Sequence, residues 1–395
     1  MKKYKPETKE ELEKLVYTDG IKLYDVDTSL ITDMSELFYK SSRKDFEGIE
    51  YWDVSNVEDM SYMFAYMSYD SFESRSKAKF NRNLNNWNVS KVKHMSFMFY
   101  YCHDFNQPLN DWDVSKVKTM EGMFRSAFKF NQPLDKWDTS KVENMNEMFS
   151  QCNSFNQPLN SWNVSNVKTM ESMFRSTEAF NQPLDKWDVS NVTTMSAMFN
   201  YAKAFNQDIS NWNVSKVEDM SYMFNACGSF NQPLNNWDVS NVKTMESMFY
   251  SADSFNQPLD KWNTKKLKTM SRMFEFAKGY NCFDSLSNWD LNKVSEMSNL
   301  CFGKYEELPL KIKAYLQAFY GSYKDYLTIT KENVKEVYDL ISKDTNKKIL
   351  SLKKRLESEF SEELSSVTDN YNFKTIEEAE KYVEDNYNKK DDKKV

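Results

Sequence analysis

The chain is poor in the residues on which most catalytic chemistry depends. Among its 395 residues are only two histidines, five cysteines and seven glycines. His94 and His103 stand at places where other parts of the chain carry unrelated residues, and no phosphate-binding glycine loop or His-Glu-x-x-His motif is present. The sequence therefore predicts a protein that is not an enzyme, with no catalytic residues, no cofactor and no metal ligands.

Long apolar runs are also missing. No segment stays apolar over the roughly 20 residues that cross a bilayer. The first residues, MKKYKPETKEELEKLVYTDG, are charged throughout and contain neither the apolar core of a signal peptide nor an early lipid-accepting cysteine. These features predict a cytoplasmic protein without a membrane span. The net charge of -7 argues against a nucleic-acid partner.

Tryptophan, in contrast, recurs at a fixed interval. Eight of the ten tryptophans follow one another every 25 residues, at Trp87, Trp112, Trp137, Trp162, Trp187, Trp212, Trp237 and Trp262. A fixed period of this length is typical of repeat proteins, in which each unit buries its apolar face against its neighbours. We therefore expect these tryptophans to form a buried structural ladder.

One well-formed unit runs from Phe105 to Lys129 and divides into two halves. The first half has the Leu-x-x-Trp-x-Val spacing of a leucine-rich-repeat strand, and in the second half apolar residues recur at helical spacing. A serine precedes the second half in most units, and Ser55, Ser140 and Ser215 have a glutamate three residues later, the pattern of a capping box. The predicted fold class is α/β: a leucine-rich-repeat-like solenoid of 25-residue strand-helix units with a C-terminal all-α appendage.

Shifts in composition give the predicted domain boundaries. Residues 1–50 are an N-terminal cap with a degenerate first unit, 51–303 a solenoid of about ten Trp-containing repeats, 304–388 a helical region, and 389–395 a disordered tail. Ten extra residues around 68–77 predict a loop. Helices are predicted at Lys311–Phe319, Lys331–Ser342, Asn346–Leu364 and Ile376–Tyr387.

A second column consists of asparagine. It stands at one place in nine successive units, including Asn106, Asn131, Asn156 and Asn181, and each member follows an aromatic residue. Because asparagine can satisfy backbone groups at a bend, we expect a structural ladder here also. Cysteine shares one column with alanine and threonine, which predicts small buried side chains and free thiols.

A third column, which we call the Asp/Asn column, stands between the tryptophan and the valine of each unit, where a side chain points outward. It could be a solvated face, a surface that bridges Ca²⁺, or the binding site of a basic or hydroxyl-rich partner. The more variable flank just before the tryptophan would then supply specificity. Its members are Asp53, Asn88, Asp113, Asp138, Asn163, Asp188, Asn213, Asp238, Asn263 and Asp290.

The run F-N-Q-P-L-x-x-W-[DN]-V-S-x-V-x-x-M-x-x-M-F, clearest from Phe105 to Phe274, resembles the repeat of BspA-like leucine-rich-repeat surface proteins, including the repeat of mycoplasma lipoproteins. The resemblance covers roughly residues 21 to 302. It implies a leucine-rich-repeat-like fold, display on a bacterial surface and adhesion to proteins or cells. It implies no catalytic residues.

Three functional hypotheses follow. In the first, the chain is a non-catalytic protein-interaction protein of the adhesion or recognition type, which binds a protein partner through the Asp/Asn column. In the second, the repeats target an effector activity carried by the C-terminal helical region. In the third, the role is structural, through self-association at the ends of the array.

Overall fold

The computed structural model describes residues 2–39, 41, 43, 45–65, 80–321 and 326–368, with the backbone alone at 366–368. Most of these residues have no regular secondary structure, because 17% are helical, 4% are in strand-like bridges, and no sheet forms. The α-helices are α1 (Lys9–Tyr17), α2 (Leu310–Tyr320), α3 (Val334–Ile341), α4 (Lys347–Glu359) and α5 (Ser361–Thr368). Short 3₁₀ turns lie at Leu23–Asp25, Ile49–Tyr51, Phe283–Leu286 and Tyr305–Glu307.

The predicted α/β class of strand-helix units is therefore wrong. The well-formed units between residues 80 and 280 contain neither an α-helix nor a strand longer than a single bridged residue. In place of the predicted helix there is a run of overlapping β-turns. The N–H groups of Met123, Arg125 and Ala127 donate to the carbonyls three residues earlier at 2.9 to 3.1 Å, whereas a helix requires bonds over four residues.

The N–H groups between these turn bonds donate to the following unit. Those of Met120 and Gly122 reach the carbonyls of Asn144 and Asn146 at 3.0 and 2.8 Å. One-residue parallel bridges continue the same contact from unit to unit, from Asp33 to Glu296. The units therefore stack by backbone hydrogen bonds between neighbours. Along the run of turns, successive N–H groups donate alternately within the unit and to the next unit, so both sets are hydrogen-bonded.

In each unit that is described throughout, two residues adopt a left-handed backbone, which is incompatible with a helix. In one unit these are Gly122, with φ 57°, and Ser126, with φ 60°. Both occupy the third place of a turn, where type II turns favour a positive φ. Most units place serine, alanine, glutamate or an aromatic residue there, although each such residue costs about 1–2 kcal/mol. The bonds between units offset that cost.

The predicted helix caps are wrong for the same reason. The N–H of Ser115 donates to the side chain of Asp113, so this serine lies inside a turn. The glutamates of the predicted capping boxes instead form ion pairs with a lysine of the next unit. The pairs are Glu58 with Lys93, Glu143 with Lys168, and Glu218 with Lys243.

The core consists of columns of identical side chains. The ring of Phe124 lies 4.1 Å from that of Phe130 and 5.8 Å from that of Phe149 in the next unit, all nearly parallel. The rings of Trp137 and Trp162 stack at 6.2 Å. Burial of each such side chain contributes about 1.5–3 kcal/mol. Because the columns are continuous, neighbouring units share one core.

Both ends of the array are covered. Leu12 and Val16 of α1 are buried against the degenerate first unit. At the other end, Ile312, Tyr315 and Leu316 of α2 join the same core. The Asn346 side chain also donates to the carbonyl of Val294 at 2.8 Å. The C-terminal helices therefore close the last unit and are not a detached appendage.

Other expectations for the C-terminal region differ in detail. The helix predicted at Asn346–Leu364 is divided at Phe360 into α4 and α5. The predicted loop around 68–77, the predicted helix Ile376–Tyr387 and the predicted tail at 389–395 lie outside the described residues. Within the described part of the chain, every helix is too short or too polar to cross a membrane.

Candidate protein-interaction surface

Every member of the Asp/Asn column closes the same local turn. Its side-chain Oδ1 accepts the backbone N–H of the residue two places later, at 2.9 to 3.3 Å in all ten units. Aspartate and asparagine are the residues that form this Asx turn. The turn explains why only these two residues occur in the column.

The Asx turn uses one polar atom of each side chain and leaves the other available. Nine of the ten members are exposed to solvent, and Asp290 is half-buried. A buried tryptophan precedes each member and a buried valine, threonine or leucine follows it, so each backbone segment is held in place. The column therefore presents one carboxylate oxygen or one amide nitrogen per unit on a backbone of fixed conformation.

Hydrogen bonds also favour the charged form of three aspartates. The hydroxyl and the N–H of the serine two residues later lower the pKa of Asp53, Asp138 and Asp188. A lowered pKa in the folded state stabilises the protein above the ordinary pKa of about 3.9, and the contribution is lost as the pH falls through the folded-state value.

Acid is therefore expected to weaken the wild-type protein more than the variant D53N/D138N/D188N, whose amides keep the turn and do not titrate. The measurement is the urea midpoint at neutral pH and at about pH 3, below the ordinary aspartate pKa. Asp253→Asn, at an exposed site, is the control and should show the wild-type decrease. Equal decreases in the triple variant and the wild type would contradict the assignment.

The flank before the tryptophan connects units to one another. The Asn110 side chain donates to Asp135 at 3.0 Å and accepts the N–H of Lys136 at 3.1 Å. The Lys136 ammonium pairs with Asp111 at 2.8 Å. Many flank side chains thus support the stack, which reduces the number available to a partner.

One part of the flank differs from this pattern. A shallow depression is lined by Asn160, Ser161 and Lys186 of the flank together with Asn163 and Asp188 of the column. Lys186 is equivalent to Lys136, but its neighbour one unit earlier is Ser161, which carries no charge. Among the described residues Lys186 forms no ion pair, so its ammonium faces solvent beside the column.

The other predicted columns lie where they support the stack. The Oδ1 of Asn106 accepts the N–H of Asn131 at 3.0 Å, and Asn131, Asn156 and Asn181 continue the series. Each repeated tryptophan donates its Nε1–H to a backbone carbonyl of the preceding unit. A glutamine after the asparagine also donates to the ladder, as Gln132 does to Asn106. The repeated Asn-Gln pair was the sequence signal for this second donor.

Metal-ligating side chains and thiols are the remaining reactive groups among the described residues. No group of three or more His, Cys, Asp or Glu side chains among them is placed to hold a metal ion. The thiols of Cys102, Cys152 and Cys227 are free and buried, and burial raises the pKa of each. A raised pKa keeps a thiol protonated and unreactive.

Comparison with known proteins gives one family. The family described as "Mycoplasma protein of unknown function, DUF285" matches four overlapping segments, at residues 11–135, 69–186, 170–283 and 204–315. No curated protein is significantly similar to the chain. The match confirms that the chain consists of tandem repeats of a mycoplasma family. It does not confirm the predicted resemblance to BspA-like leucine-rich-repeat proteins. Since the matched segments together cover well over half of its length, this chain is a member of the DUF285 family.

Proposed function

We propose that this protein is a non-catalytic interaction protein that binds a protein partner through the face bearing the Asp/Asn column. The observation that supports the proposal is the free polar atom that ten successive units present on identical Asx turns. Regular presentation of one group over a constant core is how repeat proteins form extended binding surfaces. Six of the ten members are aspartates, so the partner is expected to present basic or hydroxyl groups.

The proposal is tested with the variant D113N/D138N/D188N. Asparagine keeps the Asx turn, as four units already show, and removes only the charge. We expect a folded protein with a small decrease in thermal stability, because Asp138 and Asp188 lose the charge that the serine hydrogen bonds favour. We also expect at least a tenfold loss of affinity for the partner. The partner is identified by crosslinking the full-length protein in cells that produce it, followed by mass spectrometry.

A matched variant separates charge from folding. Alanine at the same three sites removes the turn acceptor, so it should also lower the free energy of unfolding by about 0.5–1.5 kcal/mol per site. Tyr201→Ser, which changes an exposed residue outside the column, should retain binding. If the asparagine variant crosslinks to the same proteins with the same affinity as the wild type, the column is not the binding surface.

Adhesion is a more specific version of this proposal, in which the partner lies outside the cell. It requires the protein itself to be outside the cell. Proteinase treatment of intact cells that produce the protein, with a cytoplasmic protein as control, tests this directly. Digestion of the repeats while the control survives would support adhesion. Full protection would place the partner inside the cell.

The packing of the C-terminal helices gives less support to an effector activity in that region. The apolar face of α2 joins the core of the array, α3 and α4 pack on α2, and α5 packs on α3 and α4. Tyr320 of α2 donates its hydroxyl to Glu296 of the last unit at 2.6 Å. We therefore propose a capping role for these helices.

A further inference from the structure

Exposed lysines gather at the C-terminal end of the array. They belong to three segments, which are the last unit, the unit before it and the first turn of α4. All six are exposed to solvent, and none forms an ion pair among the described residues. Their charge is opposite in sign to the net charge of the chain, which is -7. We call this cluster the basic patch, and its members are Lys265, Lys266, Lys268, Lys293, Lys347 and Lys348.

Backbone hydrogen bonds hold the last two units against each other. The N–H of Ser295 donates to the carbonyl of Lys268 at 2.8 Å. Backbone segments joined in this way lie about 5 Å apart. Lys266 and Lys293 occupy equivalent positions in the two units. Their side chains therefore leave the surface from neighbouring backbone segments.

The first turn of α4 is fixed beside these units. The Asn346 side chain donates to the carbonyls of Asn292 and Val294, at 3.3 and 2.8 Å. Those two residues flank Lys293 in the chain, and Asn346 is the N-cap residue directly before Lys347. The two lysines at the start of α4 therefore lie next to the lysine of the last unit.

The carboxylates of the last unit have other partners. Glu296 accepts the hydroxyl of Tyr320 at 2.6 Å, and the half-buried Asp290 accepts a backbone N–H in its Asx turn at 2.9 Å. The Lys266 ammonium donates to the side-chain oxygen of Asn241 at 2.6 Å, which carries no charge. Among the described residues, the positive charge of the patch is therefore not neutralised by an ion pair.

The fold does not require these lysines. Lys265 stands where eight earlier units carry serine, and the turn there uses only its backbone N–H, which donates to Asn263 at 3.3 Å. Lys266 and Lys293 share a position at which other units carry asparagine, as at Asn166. Because neighbouring like charges repel, polar residues without charge would satisfy the stack at lower cost.

A pattern of ion pairs between units ends at the patch. Earlier in the array, a glutamate pairs with the lysine at the same position one unit later, as Glu218 does with Lys243. Lys268 occupies this position in the next unit and Ser295 in the unit after that. Neither neighbouring unit therefore offers Lys268 a carboxylate, and its ammonium stays available to a ligand.

We infer that the basic patch binds an acidic segment of a partner protein, whose carboxylates pair with the lysine ammonium groups. Clustered charges of one sign attract a ligand of the opposite sign and direct its approach. A lipid surface or a single-stranded nucleic acid would favour exposed apolar or aromatic side chains beside the lysines. Among the described residues, no large exposed hydrophobic side chain belongs to the three segments of the patch.

The inference does not depend on the function proposed for the Asp/Asn column. The column carries aspartates and the patch carries lysines, so the two surfaces take ligands of opposite charge. Either surface can fail its test while the other passes.

The test measures binding of a fluorescein-labelled dodecapeptide of alternating glutamate and glycine to the full-length protein by anisotropy, in about 0.05 M salt. The wild type should bind it, and the matching serine-glycine peptide should not bind. K265S/K268T/K293N should weaken binding about tenfold, as expected for the loss of three exposed ion pairs. The new residues are those that equivalent units carry, at Ser240, Thr193 and Asn241.

A matched variant separates the patch from the net charge. K91N/K116N/K141N removes three exposed lysines elsewhere in the array and changes the net charge equally, so it should leave binding unchanged. K347Q/K348Q should weaken binding, and it decides the matter if K265S/K268T/K293N does not fold. Absence of binding by the wild type, or an equal loss in K91N/K116N/K141N and K265S/K268T/K293N, would overturn the inference.

The same variants distinguish a protein ligand from other anions. Labelled oligothymidylate of equal charge and vesicles containing phosphatidylserine are measured beside the peptide. Both should bind more weakly than the peptide. Tighter binding of either one, lost in K265S/K268T/K293N, would overturn the inference and assign the patch to a nucleic acid or to a membrane surface.

Discussion

Replacing Phe174 with alanine is expected to lower the free energy of unfolding by about 3–5 kcal/mol. The Phe174 side chain is fully buried. Its ring lies 4.2 Å from that of Phe180, 5.8 Å from that of Phe149 and 5.6 Å from that of Phe199. The cavity would therefore affect three consecutive units, and neither neighbour can fill it because each is fixed in its own column.

Urea denaturation followed by tryptophan fluorescence measures this loss. Tyr201→Ala removes an aromatic ring of similar size that is 48% exposed, and it should cost far less. Similar losses for the two variants would show that the continuous phenylalanine column is not a main source of stability.

Replacing Asn156 with alanine is the second change with a large expected effect. The Asn156 Oδ1 accepts both the backbone N–H of Asn181 at 3.0 Å and the side-chain Nε2–H of Gln182 at 3.1 Å. Removal of the acceptor leaves two half-buried donors without a partner. Each unsatisfied donor costs about 1–3 kcal/mol when it is fully shielded from water, and these two are only half-buried, so we expect a total loss of about 2 kcal/mol.

Asn153→Ala provides the matched control, because it makes the same change three residues earlier. Its side chain forms no hydrogen bond among the described residues. The control should lie within about 0.5 kcal/mol of the wild type. If both variants unfold at the same urea concentration, the asparagine ladder contributes nothing beyond an ordinary polar surface.

The sequence is sufficient to predict the repeat period and which side chains face inward. Trp112, Val117, Met120 and Phe124 are all buried. It did not predict the backbone conformation, because successive turns also repeat every three or four residues and so produce the same apolar pattern as a helix. The left-handed positions carry residues such as Ser126 and Glu147, which give no sequence signal for a positive φ.

The exposure of the Asp/Asn column could be predicted from the sequence, whereas its role as a binding site stays a prediction. The outward orientation of Asp113 and its equivalents follows from their place between a buried tryptophan and a buried valine. The hydrogen bonding of the column could not be predicted, and it accounts for the occurrence of both residues, since aspartate and asparagine close the same Asx turn. The contact of Tyr62 with Phe97 could not be predicted, because these residues are separated by the insertion.

The hydrogen bonds between units have an evolutionary consequence. The units between residues 80 and 280 repeat the same pattern of backbone donors and acceptors toward their two neighbours. A recombination event that deletes or copies one whole unit would therefore leave no broken bond at the new junction. Descendants of this gene can change the length of the stacked array in single steps, while the two covered ends stay the same.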